Sequence, residues 1–453
     1  MTANTGFHGA VIHSISDHEA ELIQEGLLVI CPEGRIITLE KDVPVDQVAS
    51  CLSSLKIDIA SHQIRYLKKG EFIIPGFIDT HNHAPQWGQR GLGRGLQILE
   101  WLDEITFPNE SKFRDPAYAK IMYTSCVEGF IKQGITTASY YGSLHGPATK
   151  ILAEICHGKG QRAFVGKCNM NRNSPDSYRD ESTQESLLVT EDFIRHVEKL
   201  DPKGELVSPI LTPRFAISCE PELLQGLGDI AARKPHLPIQ THFNEAESEI
   251  SATLSLFPQF TNEADLYEHY GLLGERSILA HCTHMTEYEF SRFQHLQCGV
   301  AHCPIANTTV GGGFMAAPIR EYLRRNIKVG LGTDSGGGFS ASILDAMRQA
   351  FIVSNAREMM SKGAEPALTL HECFYLATLG GARVCGLDKQ IGNFEVGKEF
   401  DALIINTVDE DYKGVVTFIE EEDALSVVFE KFLMTGDDRN IAEVFVKGRS
   451  IKV

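Results

Sequence analysis

The sequence predicts an α/β protein: a (β/α)8 barrel of the TIM type, with a small β-sandwich domain formed from both termini. Three observations carry this. Residues 71–385 alternate short apolar runs with helical stretches, the rhythm of parallel strand–helix units. Eight such runs can be counted, the number that this barrel needs. Residues 1–70 and 386–453 are instead short strands punctuated by turn signals.

Taken in order, LLVICPEGRIITLE reads as a hairpin with Pro32-Glu33-Gly34 in its turn. The central strands are FIIPGFIDTHNH, GITTASYY, RAFVGKCNM, LVSPILTPRF, PIQTHFNE, SILAHCTH, GVAHCP and KVGLGTDSG. Most begin as unbroken apolar runs, as strands covered on both faces do. PAYAKIMYTSCVEGFIKQG and SILDAMRQAFIVSNAREMM are examples of the helices between them. In the tail, NFEVGKEFDALIIN and EVFVKGRSIKV read as short strands around Gly-Lys and Lys-Gly turns. The two strand-rich ends are expected to pair into one small domain.

Composition narrows the function. The 453 residues are 43% hydrophobic and 23% charged, which excludes a disordered chain. Lys plus Arg is 42 against 60 Asp plus Glu, a formal charge of −18, so neither nucleic acid nor an anionic membrane is the expected partner. No apolar run reaches the ~20 residues of a membrane span, and no signal-peptide core is read at the N-terminus. Eleven cysteines, without a CxxC pair, suit reduced thiols in a cytoplasmic protein. Asn109-Glu110-Ser111 and Asn307-Thr308-Thr309 match the glycosylation pattern and are read as chance.

The polar residues concentrate where barrel active sites form, at the carboxyl ends of the strands. His81 and His83 alternate on one strand and so face one space. His242 ends PIQTH, His281 ends SILAH and Asp334 ends VGLGTD. Imidazoles and a carboxylate around an open position suit zinc, with ferrous iron the other candidate. Such an ion lowers the pKa of a water toward ~7. Glu245, three residues after His242, is placed to protonate a leaving atom. A two-metal site would want a lysine ending the fourth strand; that strand ends in Arg214-Phe215, and Lys167 lies in the third, so one metal is expected. His302 and Cys303, ending the seventh strand, are either ligands or structural. The glycine runs at 91–95, 311–313 and 336–338 fit no phosphate-loop pattern and read as flexible loops by the mouth. The HxE/PCxxC deaminase signature and HExxH are both absent.

PGFIDTHNH, THFNE, LAH and GLGTD together resemble the amidohydrolase superfamily. HAPQW, LEWLDEITFP, GQRAFVGKCNM, TPRFAISC, GVAHCPIAN, LATLGGAR, IGNFEVGKEFDA and GDDRNI are similar to its guanine deaminase family, from about residue 71 onward. The resemblance implies one zinc ion per subunit on His81, His83, His242 and Asp334. It implies Glu245 as proton shuttle, His281 positioning the attacking water and Asp334 accepting that water's proton. Gln86 and Arg214 would bind guanine, with Phe215 and Trp101 lining its pocket. A homodimer in purine catabolism, converting guanine to xanthine, is implied as well. Pro85, Trp87, Asn244, Cys282 and the TDSGGG run depart from the family's usual residues, none at an implied ligand. A related amidohydrolase acting on cytosine, a triazine or an adenosine-type substrate is the alternative enzyme, and a metal-free scaffold protein the alternative class.

Overall fold

A computed structural model describes residues 3–408 and 417–452. Five strands open the chain: β1 (Thr5–Ser14), β2 (Ala20–Ile30), β3 (Ile36–Glu40), β4 (Ile64–Tyr66) and β5 (Glu71–Pro75). Ten follow: β6 (Phe77–His83), β7 (Ile135–Tyr141), β8 (Arg162–Gly166), β9 (Cys168–Asn169), β10 (Val207–Pro209), β11 (Thr212–Pro213), β12 (Ile239–Phe243), β13 (Ser277–His281), β14 (Gly299–His302) and β15 (Lys328–Leu331). The chain ends with β16 (Ala402–Asn406), β17 (Ile441–Val446) and β18 (Arg449–Ser450).

The termini do pair. β18, β17, β16, β5, β1, β2 and β3 lie side by side in that order, and β4 joins β1, giving one eight-stranded sheet instead of two facing sheets. A bulge between Gly9 and Val11 bends β1. The sheet curls, so that Phe7 on β1 meets Phe445 on β17 edge-on with ring centroids 5.8 Å apart. The β2–β3 hairpin forms around Pro32-Glu33-Gly34 as its turn residues require. Residues 393–396, expected as strand ahead of a Gly397-Lys398 turn, form no strand, while the turn forms, with Lys398 N–H donating to Glu395 O at 3.1 Å; Ile36 N–H donates to Lys398 O and Phe400 N–H to Gly34 O, leaving one bridged pair, Arg35 with Glu399.

The central strands are parallel and buried along almost their whole length, which is why they read as apolar runs. They fall into two four-stranded sheets, β10-β8-β7-β6 and β12-β13-β14-β15, with β9 and β11 paired beside the first. The third and fourth expected strands are each broken in two. Pro209 and Pro213 have no N–H to give a ladder. The register nonetheless continues, Ala163 opposite Val207 and Cys168 opposite Thr212. The sheets approach each other at both sides. Leu211 bridges Ile239, and Thr80 Oγ1–H donates to Leu331 O at 2.8 Å while Asp334 N–H donates to His81 O at 2.9 Å.

Several helices start where side-chain caps satisfy their first N–H groups. Asp115 caps Pro116–Lys132, Ser182 caps Thr183–Leu200, and Thr286 with Glu289 forms a capping box on Glu287–Leu296. No helix among the described residues is long and apolar enough to cross a membrane. All eleven cysteines are free.

One buried ion pair ties the terminal sheet to the central strands. Arg162, which opens β8, donates to Asp401 Oδ2 at 3.1 Å and to Glu399 Oε2 at 2.7 Å. Arg162→Leu leaves buried Asp401 without its cation and Glu399 with only the longer contacts to Arg35 and Lys447, at 3.6 Å and 3.7 Å, and should cost ~3–5 kcal/mol of stability, measured by denaturant unfolding. A loss under ~1 kcal/mol would show that water reaches the pair.

Candidate functional site

Four strand ends deliver the five residues expected to converge. β6 is bulged at Thr80-His81, since Asp79 pairs with Ala138 and Asn82 already with Tyr140. Bulges re-aim side chains beside active sites, and here His81 and His83 both reach one carboxylate oxygen. Their Nε2 atoms lie 3.3 Å and 3.4 Å from Asp334 Oδ1. His83 Nε2 is 3.1 Å from His242 Nε2, and His281 Nε2 is 3.5 Å from Glu245 Oε1. Two sets of metal-capable atoms emerge, His81-His83-His242 and His81-His281-Asp334, each within 4.8 Å among themselves.

The turns after these strands hold unusual backbone. Asn244 (φ 45°), His281 (φ 73°), Cys282 (φ 47°) and Asp334 (φ 42°) all sit in the left-handed region. Asn, Asp and His tolerate it best, and each instance costs ~1–3 kcal/mol that the surroundings must hold. They do so by hydrogen bonding. Asn244 N–H donates to Glu263 Oε2 at 2.9 Å, and its Nδ2 donates to His284 O and Glu289 Oε1. Asp79, buried beneath, accepts from His81 N–H at 3.2 Å, Thr333 N–H at 3.0 Å and Thr333 Oγ1–H at 2.6 Å. Burial raises Asp79 to a pKa of about 7, against the pull of those hydrogen bonds.

Burial also decides the charge of the cluster. Desolvation pushes His81, His83 and His242 well below the ordinary imidazole pKa, and lowers His281. Neutral rings have one N–H and one lone pair. A carbonyl can only accept, so His242 Nδ1–H donates to Arg214 O at 2.6 Å and its Nε2 lone pair faces inward. His281 Nδ1 is 2.8 Å from Asn307 Oδ1, the same arrangement. His81 Nε2 and His281 Nε2 are buried with no hydrogen-bond partner among the described residues. Inward lone pairs around a carboxylate, with outer nitrogens pinned by acceptors, fit a divalent cation. The rings of His81, His83 and His242 pack on Tyr141, whose centroid lies 4.9 Å, 4.6 Å and 5.2 Å away.

Beside this cluster is a cavity. Gln86, Trp101, Arg214, Phe215 and Glu245 line it together with His83, His242, His281 and Asp334. Its roof is the connection from β6 to the helix Pro116–Lys132. There a wide helical turn, Leu102–Thr106, has Phe107 N–H bonding back to Leu102 O just ahead of Pro108, which has no N–H. The run continues to Glu110, which is wholly buried. Glu110 receives both Arg214 terminal nitrogens at 2.9 Å and 3.2 Å, Gln86 Nε2 at 2.8 Å and Tyr178 Oη at 2.6 Å. Arg214 is therefore an ion-pair partner as well as a cavity residue. Burial raises Glu245 well above the ordinary carboxylate pKa, with Asp334 adding to the effect.

Every residue singled out for catalysis, metal or substrate meets here; His81 is not among the cavity-lining residues but reaches it through Asp334. His302 lies outside both metal-capable sets, in a small separate pocket with Arg320, Arg357 and Glu365, where burial lowers its pKa to about 3. Cys303 is buried and also outside those sets. Lys167 is paired with Asp180 at 2.6 Å. The glycine runs 91–95 and 336–338 meet at the mouth, where Arg94 donates to Gly337 O at 2.6 Å. A Cβ on Gly336 would lie 2.7 Å from Gln86 Oε1, and one on Gly337 2.5 Å from Asp334 Oδ2, so close packing explains that triplet. Sequence reasoning missed Glu110, Asn307, Tyr141 and Asp79. Only Asp79 carried a signal: it alternates with His81 and His83 along β6.

A cavity beside a metal-capable cluster at parallel strand ends fits a hydrolase class of site. The chain belongs to the amidohydrolase family, whose pattern matches residues 72–451. It is 42% identical to a probable guanine deaminase of Schizosaccharomyces pombe, over 98% of this chain and 83% of that protein. It is 40% identical to a guanine deaminase of Dictyostelium discoideum, over 98% of each. A crystal structure of guanine deaminase from C. acetobutylicum with guanine bound in its active site superposes with a TM-score of 0.88 at 31% identity, covering 99% of both chains.

The geometry makes a stoichiometric prediction. Purified protein should hold about one divalent ion per chain by elemental analysis. His83→Ala and Asp334→Ala should each lose most of it, and His302→Asn should keep it. Metal lost with His302 would place that ring among the ligands.

Proposed function

We propose that this protein hydrolyses guanine to xanthine and ammonia, with one zinc ion per subunit on His81, His83, His242 and Asp334. The observation that carries the reading is one cavity in which Glu245, the imidazole cluster and the Gln86–Arg214 pair all converge. Full-length likeness to guanine deaminases supports the substrate. In this reading the two parallel sheets are halves of one (β/α)8 barrel, residues 71–385. Residues 1–70 and 386–453 form the small β domain. The Leu211–Ile239 bridge and the bonds from β6 to residues 331–334 support that closure. Homodimerisation, a cytoplasmic location and a place in purine catabolism come with the family resemblance.

Bound in the cluster, the ion would supply a water acidified toward ~7, a nucleophile at neutral pH. The protein's residues do the rest. His281, neutral with Nε2 facing inward, orients that water. Glu245, kept protonated by burial, gives its proton to N3 of guanine and leaves C2 electron-poor. The water oxygen bonds to C2 as Asp334 takes its proton. Glu245, now ionised, takes the remaining proton from the C2 hydroxyl and passes it to the amino nitrogen, so the C2–N bond breaks, C2=O forms and ammonia leaves. The proton held by Asp334 returns to Glu245, so the two protons of water balance the one gained at N3 and the one gained by ammonia. Arg214 donates to the purine carbonyl oxygen, Gln86 meets the adjacent ring edge, and Phe215 and Trp101 wall the base. A scaffold would gain nothing from imidazole lone pairs buried without partners, which cost free energy.

Ultraviolet spectroscopy should show zinc-loaded protein converting guanine to xanthine, while cytosine, adenine and a triazine stay unchanged. Turnover of another base alone would overturn the substrate. Glu245→Gln should retain the metal and lose ~10²–10⁴-fold in kcat. Near-wild-type turnover in that variant would remove Glu245 from the chemistry.

A further inference from the structure

We propose that Glu110 is a positioning residue that sets the hydrogen-bonding polarity of the base-reading wall. It selects a ring edge that presents N–H beside C=O. This inference rests on the guanine reading above and adds a residue to it. Glu110 is buried against three polar side chains. Its two oxygens receive four bonds: from Gln86, Tyr178 and both terminal nitrogens of Arg214. An ionised carboxylate only accepts. Of the two ways round for the Gln86 amide, only the one that turns its NH₂ toward Glu110 avoids setting two oxygens against each other.

The amide's other end is thereby fixed as well. Gln86 Oε1 is buried and has no hydrogen-bond partner among the described residues, while its residue lines the cavity. Gly336 leaves it the room, since a Cβ there would approach Oε1 to 2.7 Å. Arg214 directs one N–H from each terminal nitrogen to Glu110, so of its five N–H groups the others remain for the cavity. The wall therefore shows an acceptor, Gln86 Oε1, beside donors from Arg214. Guanine offers the complement, a ring N–H next to a carbonyl. A base with an amino group at that carbon and a bare ring nitrogen offers the reverse, lone pair against oxygen and N–H against N–H. Sites built on such pairing reject the wrong edge by ~10⁴-fold, because their own buried groups lose their partners.

The test compares guanine with 2,6-diaminopurine, which keeps the reacting 2-amino group and reverses only the neighbouring edge. Wild-type kcat/KM should strongly favour guanine. Glu110→Gln can donate as well as accept, so it frees the Gln86 amide to turn. Guanine kcat/KM should fall ~100-fold, mostly through KM, as expected for a lost charge-assisted bond network. The 2,6-diaminopurine value should change less than ~3-fold and metal content should stay at the wild-type level. Tyr178→Phe, a milder change that keeps the ion pair, should narrow the preference ~3–10-fold. Equal loss on both bases in Glu110→Gln, or in a poorly folding Glu110→Gln an unchanged preference in Tyr178→Phe, would overturn the role. A wild type that leaves guanine untouched would instead sink the functional reading itself, and this inference with it.

Discussion

Desolvation at the strand ends is the constraint from which the rest of the site follows. His81, His83, His242 and His281 are packed where water does not reach, so each ring is held neutral and keeps a lone pair. The Nε2 atoms of His81 and His281, buried without a hydrogen-bond partner among the described residues, cost free energy unless something positive stands among them. The protein keeps this arrangement against its own interest in water. The strands fix the backbone, Asp79 locks the end of β6 to Thr333, and the outer nitrogens of His242 and His281 are tied to Arg214 O and Asn307. Left-handed backbone at Asn244, His281 and Asp334 is part of the same bargain: a sharp exit from each strand leaves its last side chain aimed inward.

A second charge problem is solved a few ångströms away. Arg214 is only 3% exposed, and a lone guanidinium there would be costly. Glu110 neutralises it with a two-pronged pair, and Gln86 and Tyr178 fill the remaining acceptor directions. The wall is thus electrically balanced before any ligand arrives. Asp334 and Glu245 face the cavity as carboxylates together with Glu249, and burial raises all three, Asp334 to about 6. A pair of acids in one dry space, one beside the imidazoles and one facing the cavity, is suited to moving protons in sequence.

Much of this was legible along the chain because it is local. A strand that is buried on both faces is mostly apolar, and His242, His281 and Asp334 stand at or just beyond the carboxyl ends of such runs. What was not legible is pairwise and distant. Glu110 sits 104 positions from Arg214 and reads in isolation as one acid among several in a glycosylation-like triplet. Asn307 stands 26 positions from His281, in another such triplet. Periodicity overstated two strands, the third broken at Lys167 and the fourth at Ile210-Leu211, and one tail segment, 393–396, which forms no strand. The glycine triplet at 336–338 was read for its freedom, whereas two of its members are required by the closeness of Gln86 and Asp334.

Arg214 is where the two halves of the site are joined, and it joins them through different parts of itself. Its carbonyl oxygen accepts from His242 Nδ1–H and so fixes a ring of the metal-capable cluster. Its side chain pairs with Glu110 and faces the base. Every amino acid has the first group and only arginine the second. Substitution at this position therefore leaves the anchor of His242 in place as long as β11 keeps its course, which Arg214 N–H helps to hold by donating to Asn169 O at 3.1 Å. The chemistry of the strand ends and the recognition of the base can then vary independently. The first is written in backbone geometry shared by four strand ends. The second is written in side chains contributed by β11, its following residues and the roof between β6 and the next helix.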